Sequence, residues 1–302
     1  MTFDMEQLKR LAELMNLRFV VPIARGGNAD VFKAETPRGS VAVKCIPAAE
    51  SRRSLQEQRL AKWAGEVGLG PRVHATQCFS VHACIVMAFA PMDLRTVMVR
   101  ADAYSFATLR RLWEQAFGLA ASRHLRKKRL VCSDLKPANL LVFNNEDDAA
   151  PACRLASRLS PSLHDAEVRL NDFDPAFWGR ASTAVSASCF NVLTLLSNSL
   201  FLGADSHASL LAFLPEASLV VARRALARDE RVLAVFRERE ELCRRGAFRY
   251  AQARDLEDYL ARLGAALDGA TLDCAGDARS LEEALRQLSV IQSAPRPRSP
   301  AD

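Results

Sequence analysis

Residues 131–143 read Val-Cys-Ser-Asp-Leu-Lys-Pro-Ala-Asn-Leu-Leu-Val-Phe, and residues 170–174 read Leu-Asn-Asp-Phe-Asp. Each segment places acidic or amide side chains beside a short run of strand-forming residues. Asp134, Asn139 and Asp172 would supply one general base and two oxygen ligands for Mg²⁺, which a phosphoryl-transfer site needs. Neither a hydrophobic core nor a solvated surface requires this combination, so the two segments favour an enzyme that transfers phosphoryl groups.

The composition is that of a folded protein with a sizeable core. The chain has 302 residues, 49% of them hydrophobic, and its 41 basic and 35 acidic side chains give a net charge of +6. Because the charges are interspersed and aromatic residues make up only 7%, we expect no specific nucleic-acid partner. The eight cysteines form no C-x-x-C pair, which predicts reduced thiols in an intracellular protein of the cytoplasm or nucleus.

One uncharged stretch, residues 181–204, is long enough to span a bilayer. It contains nine serine, threonine and asparagine residues, and these are costly to place in hydrocarbon. We therefore expect a buried helix of a soluble protein and no membrane association.

The hydrophobic pattern changes along the chain from mainly strand-like to mainly helical. We predict a helix over residues 6–15, a meander of about three strands over 19–46, a helix over 51–65 and a strand segment over 74–89. Beyond Pro91 the spacing is mainly helical, and helices are predicted at residues 106–128, 186–203, 216–245, 253–268 and 278–291.

These patterns predict two domains. Residues 1–90 would form a small strand-rich domain with a short leading helix, and residues 91–293 a larger, mainly helical domain. The polar segment at about residues 144–166 is longer than a tight hairpin requires and is interpreted as an inserted loop. The proline-rich tail at residues 294–302 has the composition of a disordered segment.

Several segments, in order, resemble those of the eukaryotic-type protein kinase family, over about residues 19–205. They are a glycine-containing turn at residues 23–31, the strand Val-Ala-Val-Lys that ends at Lys44, a strand and hinge at residues 85–94, and the two motifs quoted above. The resemblance implies an α+β, two-lobed protein-kinase-like fold. Its N-lobe would be a small antiparallel sheet with one main helix, and its C-lobe would be larger and mainly helical. The resemblance also implies ATP and Mg²⁺ as cofactors.

By this resemblance, ATP would contact the first lobe and the hinge that follows it. The glycine-containing turn would hold the phosphates, although Ala24 and Ala29 stand where the family has its outer glycines. An ordinary hairpin turn is the alternative interpretation. Met87 would be the gatekeeper, and Ala88 and Ala90 would offer backbone groups to adenine. The nucleotide-binding residues implied in this way are Gly26, Gly27, Val31, Ala42, Lys44, Glu57, Met87, Ala88 and Ala90.

Lys44 and Glu57 are expected to form an ion pair. In an alternating strand Lys44 shares a face with Ala42, so its ammonium would point into apolar surroundings and need an anion. Glu57 lies on the apolar face of the second predicted helix, where a carboxylate points inward. A surface pair of Glu57 with Arg53 is the alternative, and Glu50 is a second candidate partner for the lysine.

The catalytic groups would lie in the second lobe. The resemblance implies that Asp134 accepts or orients the proton of the acceptor hydroxyl, and that Lys136 stabilises charge on the transferring phosphoryl group. It also implies that Asn139 and Asp172 hold Mg²⁺.

The chain departs from the family's pattern at several positions near these groups. Cys132-Ser133 replaces the usual His-Arg, which removes the docking point for a phosphorylated activation loop. Asp174 replaces a glycine; aspartate tolerates unusual backbone angles, and its charge beside the metal could make it an extra ligand. Asn191 stands where the family usually has aspartate, and no Ala-Pro-Glu follows at the expected place, so the activation segment is short or unusual.

Three functions are compatible with these motifs. The first is a divergent Ser/Thr protein kinase, monomeric, whose partner is a protein substrate with a Ser/Thr acceptor. The second is a small-molecule phosphotransferase resembling the aminoglycoside and choline kinases, which often have a small residue where Ser133 stands and also lack Ala-Pro-Glu. The third is an ATP-binding pseudokinase that acts as an interaction module. Lys136 and the Lys44 strand favour the first. The divergent motifs in an alanine- and arginine-rich chain would suit a kinase of a large DNA virus, which would act in the host cell.

Overall fold

A computed structural model describes residues 5–25, 29–37, 39–47, 51–79, 82–143, 163, 165–202, 207–267 and 281–291. The chain divides into two compact units. The first unit comprises Met1–Asp93 and Leu141–Pro175, and the second comprises Leu94–Leu140 and Ala176–Asp302. The first unit is built on an antiparallel sheet with one main helix, and the second is mainly helical. The predicted α+β fold class, with an antiparallel sheet in one unit and mainly helices in the other, is confirmed.

The first unit contains a five-stranded antiparallel sheet. Its strands are β1 (Arg18–Arg25), β2 (Asp30–Thr36), β3 (Gly39–Pro47), β4 (Val73–Cys78) and β5 (His82–Ala88), in the spatial order β1-β2-β3-β5-β4. The first three strands form the predicted meander. The single strand segment predicted over residues 74–89 is a hairpin of two strands, because a strand usually extends over about five or six residues. The N–H of Phe79 donates to the carbonyl oxygen of His82 at 2.7 Å where the chain reverses.

The strand register assigns side chains to the two faces of this sheet. Opposed residues of an antiparallel pair share a face, and successive residues alternate. Val31 lies opposite Lys44 and Ala42 lies opposite Met87, so these four side chains share one face. The other face contributes to a hydrophobic core with α1 (Met5–Leu14). This core consists of Leu11, Leu17, Phe32, Ala34, Val41, Val43, Cys45, Cys84 and Val86.

Helix α2 (Ser51–Glu66) packs beside β4 and β5. Its buried residues recur at helical spacing, which is why one face of the helix can pack on the sheet. They are Ser54, Glu57, Gln58, Ala61 and Ala64. The amide of Gln58 donates to the carbonyl oxygen of Cys84 at 3.4 Å, which ties the helix to β5.

A second small sheet, in the order β6-β8-β9, belongs to the first unit. Its strands are β6 (Met92–Asp93), β8 (Leu140–Phe143, of which the first unit includes Leu141 onward) and β9 (Glu167–Leu170). The chain after β8 therefore groups with the first unit, although the sequence had assigned it to the second domain. Val142 pairs with Met92, and the N–H of Leu170 donates to the carbonyl oxygen of Leu69 at 2.7 Å, so both strands are bonded to earlier parts of this unit.

The second unit is a set of helices with a two-stranded sheet of β7 (Leu130–Cys132) and β10 (Trp178–Arg180). Its helices are α3 (Leu94–Val99), α4 (Phe106–Ala120), α5 (Arg123–Lys128), α6 (Ala184–Leu202), α7 (His207–Phe213), α8 (Glu216–Leu226), α9 (Glu230–Glu238), α10 (Glu240–Arg245), α11 (Ala247–Tyr250), α12 (Leu256–Leu267) and α13 (Leu281–Ile291).

Two segments predicted as continuous helices are divided, because an N-cap residue within each of them starts a new helix. Within residues 106–128, the hydroxyl of Ser122 accepts from the N–H of Leu125 at 3.3 Å and starts α5. Within residues 216–245, the carboxylate of Asp229 accepts from the N–H of Arg231 at 3.0 Å and starts α9. Apolar periodicity continues through such breaks, so the pattern alone did not reveal them.

Helix α6 is the buried core of the second unit. Its apolar 18-residue window has a mean hydropathy of 1.5, and 83% of that window is buried within the protein. In the described chain it is the one helix long and apolar enough to cross a membrane, which is weak evidence because core helices meet the same test. The ring of Phe190 in α6 is tilted against that of Phe236 at a centroid distance of 4.7 Å, and Phe236 stacks on Tyr259 at 5.3 Å. The expectation of a buried helix is confirmed.

Some sequence predictions lie outside the described residues. These are the phosphate-binding Gly26 and Gly27, the alternative lysine partner Glu50, residues 144–162 and 164 of the inserted loop, and the tail at residues 294–302.

Gly246 permits a close backbone approach to Ser133. A Cβ atom at Gly246 would lie 2.0 Å from the carbonyl oxygen of Ser133, so the backbone would have to move. We expect Gly246→Ala to lower the free energy of unfolding by about 1–3 kcal/mol, as overpacking does, in urea denaturation. Gly264 in α12 is the matched control, because the nearest atom to a Cβ there lies 3.7 Å away. Gly264→Ala should stabilise the helix by about 0.5–1 kcal/mol; equal losses in both variants would contradict this packing.

Candidate active site

A buried lysine pairs with two carboxylates in the first unit. Nζ of Lys44 lies 2.7 Å from Oε1 of Glu57 and 2.8 Å from Oδ1 of Asp172. The side chains of Lys44 and Glu57 are only 13% and 5% exposed, and that of Asp172 is 29% exposed. The pair between Lys44 and Glu57 is the one expected from the sequence, and the surface pair of Glu57 with Arg53 is not formed.

The pKa values follow from this arrangement. Burial acts to lower the pKa of Lys44, but the charges of Asp172 and Glu57 and the hydrogen bonds to them outweigh burial, and the pKa is raised. Burial raises the pKa of Glu57; Lys44 opposes this, and the charges of Asp172 and Asp174 add to it. The lysine therefore remains a cation at neutral pH. It can contribute positive charge to the binding of a phosphate.

Asp172 has a backbone conformation that non-glycine residues rarely adopt. Its φ is 60°, in the left-handed region. Such conformations concentrate at functional sites, where the surrounding structure holds them. The ring of Phe173, which is 4% exposed, packs at Gly70, where a Cβ atom would lie 2.9 Å from its Cζ. The unusual backbone angle expected at Asp174 is thus found two residues earlier, at the candidate metal ligand.

Asp174 forms a bidentate ion pair that the sequence did not predict. Nε of Arg53 donates to Oδ1 of Asp174 at 2.8 Å, and Nη2 donates to Oδ2. The Asp174 side chain is 5% exposed. Because both carboxylate oxygens accept from the arginine, this arrangement argues against Asp174 as an extra metal ligand. Arg53 and Glu57 lie one turn apart on α2, so the helix is bonded to both Asp174 and Lys44.

The other candidate nucleotide-binding residues lie near Lys44 on the sheet. Val31, Ala42 and Met87 share its face, and the last two are buried at 9% and 6% exposure. The N–H of Ala88 donates to the carbonyl oxygen of Arg72 at 2.9 Å, so its own carbonyl is the group that it could offer to adenine. Ala90 is half-buried beyond the end of β5. The roles of these residues in binding ATP stay predictions.

In the second unit, Asp134 lies at the centre of a hydrogen-bond cluster. Nζ of Lys136 donates to Oδ1 and Oδ2 of Asp134 at 2.9 and 3.1 Å. Nδ2 of Asn139 donates to Oδ2 at 2.7 Å and to the main-chain oxygen of Asp134 at 2.9 Å. The hydroxyl of Tyr250 donates to Oδ1 and accepts from Nζ of Lys136 at 2.8 Å. The cluster fixes the orientation of a carboxylate that could accept a proton.

The donors of this cluster keep their protons at neutral pH. Burial acts to lower the pKa of Lys136, but the charge of Asp134 and the hydrogen bonds to Tyr250 and Asp134 outweigh it, and the pKa is raised. Burial raises the pKa of Tyr250, and the hydrogen bond to Asp134 adds to the effect. Because the amide nitrogen of Asn139 donates to Asp134, its Oδ1 is the atom that could ligate a metal.

Asparagines of α6 hold the backbone on either side of Asp134. Oδ1 of Asn191 accepts from the N–H of Cys132 at 2.9 Å, and its Nδ2 donates to the carbonyl oxygen of Leu130 at 3.0 Å. Nδ2 of Asn198 donates to the carbonyl oxygen of Leu135 at 2.7 Å. An amide both donates and accepts, so asparagine can bond to a backbone N–H and a carbonyl at once, which a carboxylate cannot.

The structure brings the sequence-predicted residues together in two groups. Lys44, Glu57 and Asp172 meet in the first unit, and Asp134, Lys136 and Asn139 meet in the second. The described residues contain no group of three or more His, Cys, Asp or Glu side chains that could hold a metal ion, so the candidate ligands are one carboxylate and one amide.

Sequence reasoning missed three residues of these groups: Arg53 as the partner of Asp174, Asn198, and Tyr250. A signal existed for Arg53, since a charge at a position expected to be glycine needs a counter-ion if it is buried. Tyr250 is 116 residues from Asp134 and lies in no recognisable motif.

Comparison with known proteins finds no sequence relative among family models and curated proteins, and it finds a solved structure of low similarity. No family model matches the chain, and no curated protein matches its sequence. Among solved structures, the kinase domain of PF14_0431 is similar with a TM-score of 0.44 and 13% identity, over 70% of each chain. The chemistry of the site therefore rests on its own side chains.

The contact between Arg53 and Asp174 can be tested by a double-mutant cycle. Arg53→Gln leaves a buried carboxylate without its cation, and we expect a loss of about 2–3 kcal/mol in the free energy of unfolding. Asp174→Asn and the double variant complete the cycle, with an expected coupling energy of about 1–3 kcal/mol. Arg52→Gln, at an exposed position of the same turn, is the control and should be neutral. A coupling energy near zero would be evidence against the pair.

Proposed function

We propose that the protein is a Mg-ATP-dependent phosphotransferase that moves the γ-phosphoryl group to a serine or threonine hydroxyl of a protein. The observation that supports this most is the buried Lys44 held between Glu57 and Asp172. A structural ion pair needs one carboxylate, whereas this lysine has two, and one of them belongs to a residue with a left-handed backbone. The arrangement suits a cation that shares its charge between protein and phosphates.

The residues of the first unit would bind the donor nucleotide. Lys44 would contact the phosphates, and Glu57 would hold the ammonium in place. Val31, Ala42 and Met87 would enclose the adenine, since they share the face of the sheet that carries Lys44. The side chain of Asp172 is partly exposed and offers hard oxygen, which fits a magnesium ligand.

Asp172 in the first unit and Asn139 in the second are the residues proposed as ligands of Mg²⁺, which supplies charge neutralisation on the phosphates when bound. In the second unit Asp134 would accept the proton of the acceptor hydroxyl, and Lys136 would offset negative charge on the transferring group. Asn191 and Asn198 would keep the loop that carries these residues in place. We further propose a monomeric intracellular protein with no nucleic-acid or membrane partner.

A small-molecule acceptor is a second candidate, favoured by one observation. Residues 175–183, only nine in number, join Asp174 to the start of α6 at Ala184, and three of them form β10. This connection offers little backbone on which an extended peptide could lie.

A pseudokinase is disfavoured because Lys44, Asp134 and Asp172 are all present with their hydrogen-bonding partners.

The proposal can be tested by phosphotransfer from γ-labelled ATP to a basic protein and to a panel of alcohols. Asp134→Asn and Asp172→Asn should each lower kcat by about 10²–10⁴, because the base and a metal ligand are lost. Thermal stabilisation by ATP should persist in Asp134→Asn, whereas its increase with Mg²⁺ should be reduced in Asp172→Asn. Asp102→Asn, at an exposed position, is the control. Equal background transfer in all variants would exclude the enzyme, and labelling of alcohols alone would exclude the protein acceptor.

A further inference from the structure

The second unit contains a cavity of about 790 Å³, to which the proposed reaction assigns no role. Residues of α3, α4, α6 and α7 line it, together with residues that follow Asp134 and the side chain of Tyr250. Its volume lies within the range of pockets that hold small ligands or large side chains.

Most of the lining is apolar or aromatic. Its large members include Trp113, Leu109 and Phe213, and the rings of Phe106 and Phe213 lie 5.0 Å apart. Val99, Phe106 and Leu202 also line the cavity, and they are 65%, 53% and 37% exposed. Large apolar side chains clustered at the surface of a cavity usually mark a site that another molecule covers.

The same cavity reaches the catalytic cluster. Lys136 and Tyr250 line it, and both are hydrogen-bonded to the carboxylate of Asp134. A molecule in the cavity would therefore place neighbouring groups close to the proposed base. This continuity is what connects an otherwise apolar pocket with the acceptor side of the reaction.

The charges of the lining restrict the occupant. The charged residues among those that line the cavity are Arg95 and Lys136, and both are cations. No carboxylate belongs to the described lining, so a lysine or arginine of a substrate would find no counter-ion there. A neutral apolar side chain, with neutral or acidic neighbours, is complementary to it.

We propose that this cavity is a specificity subsite that takes a large apolar side chain of the substrate protein, close in sequence to the phosphorylated serine or threonine. The inference rests on the proposed function, since it assigns the acceptor side of that reaction. Substrates would carry tryptophan, phenylalanine or leucine near the acceptor. Peptides with a basic residue at the same position would be phosphorylated inefficiently.

The test uses three acceptor peptides that differ only in the residue beside the serine. This residue is large and apolar (leucine or tryptophan) in the first peptide, alanine in the second and arginine in the third. We expect kcat/KM for the apolar peptide to exceed the other two by about tenfold or more. Val99→Glu places a charge at the exposed edge of the cavity and should raise KM for the apolar peptide about tenfold. It should leave the alanine peptide and the KM for ATP unchanged.

Val290→Glu is the matched control, because Val290 is 57% exposed on α13 and does not line the cavity. Phosphorylation of all three peptides at equal efficiency would overturn the subsite and leave the proposed function intact. Phosphorylation of a small apolar alcohol, with no peptide labelled, would overturn both the subsite and the protein acceptor.

A binding measurement keeps the inference testable if no peptide is phosphorylated. Calorimetry with the apolar peptide, its serine replaced by alanine, should give binding that Val99→Glu weakens about tenfold and Val290→Glu does not. Binding that is absent, or equal in the two variants, would overturn the subsite whatever the outcome of the activity assay.

Discussion

A buried ammonium group cannot remain charged without a counter-ion, because desolvation of an isolated cation costs several kcal/mol. Lys44 meets this requirement by pairing with two carboxylates, Glu57 and Asp172, from two other parts of the chain. The candidate site depends on these two ion pairs. Glu57 fixes α2 against the sheet, and Asp172 fixes the chain after β9. One lysine and two carboxylates leave an excess of negative charge. That excess suits a site whose ligand arrives with a divalent cation.

A second ion pair supports the first. Arg53 binds Asp174 one helical turn before Glu57 binds Lys44, so α2 is bonded both to the segment that carries Asp172 and to the lysine that pairs with Asp172. Asp174 stands where the resembled family has glycine, and the arginine supplies a counter-ion for its buried charge. At the same time Ser133 replaces the arginine that would dock a phosphorylated loop. Both of these ion pairs of α2 lie within the first unit.

The sequence predicted those parts of the site that have a local signature. Strand alternation assigned Lys44 to the face of Ala42, and helical spacing placed Glu57 on the buried face of α2, so their ion pair could be inferred from two short patterns. Asp134, Lys136 and Asn139 likewise lie within one motif, so their proximity could be expected. Contacts between distant residues without a motif, such as Tyr250 with Asp134 and Arg53 with Asp174, could not be inferred, because they depend on packing rather than periodicity. For the same reason the sequence did not indicate that Leu141–Pro175 would group with Met1–Asp93.

The hydrogen bonds of Asp134 constrain how an acceptor can reach it. An ionised carboxylate offers about four lone-pair sites. Oδ1 accepts from Lys136 and Tyr250, and Oδ2 accepts from Lys136 and Asn139, so these sites are occupied. If Asp134 is the base that we propose, a substrate hydroxyl would have to replace one of these donors before Asp134 could accept its proton. Lys136 and Tyr250 line the apolar cavity, whereas Asn139 is not part of its described lining. A substrate whose apolar side chain fills the cavity, as proposed, would lie beside these two donors, and displacement of the lysine or the tyrosine would leave Asn139 bonded to Asp134.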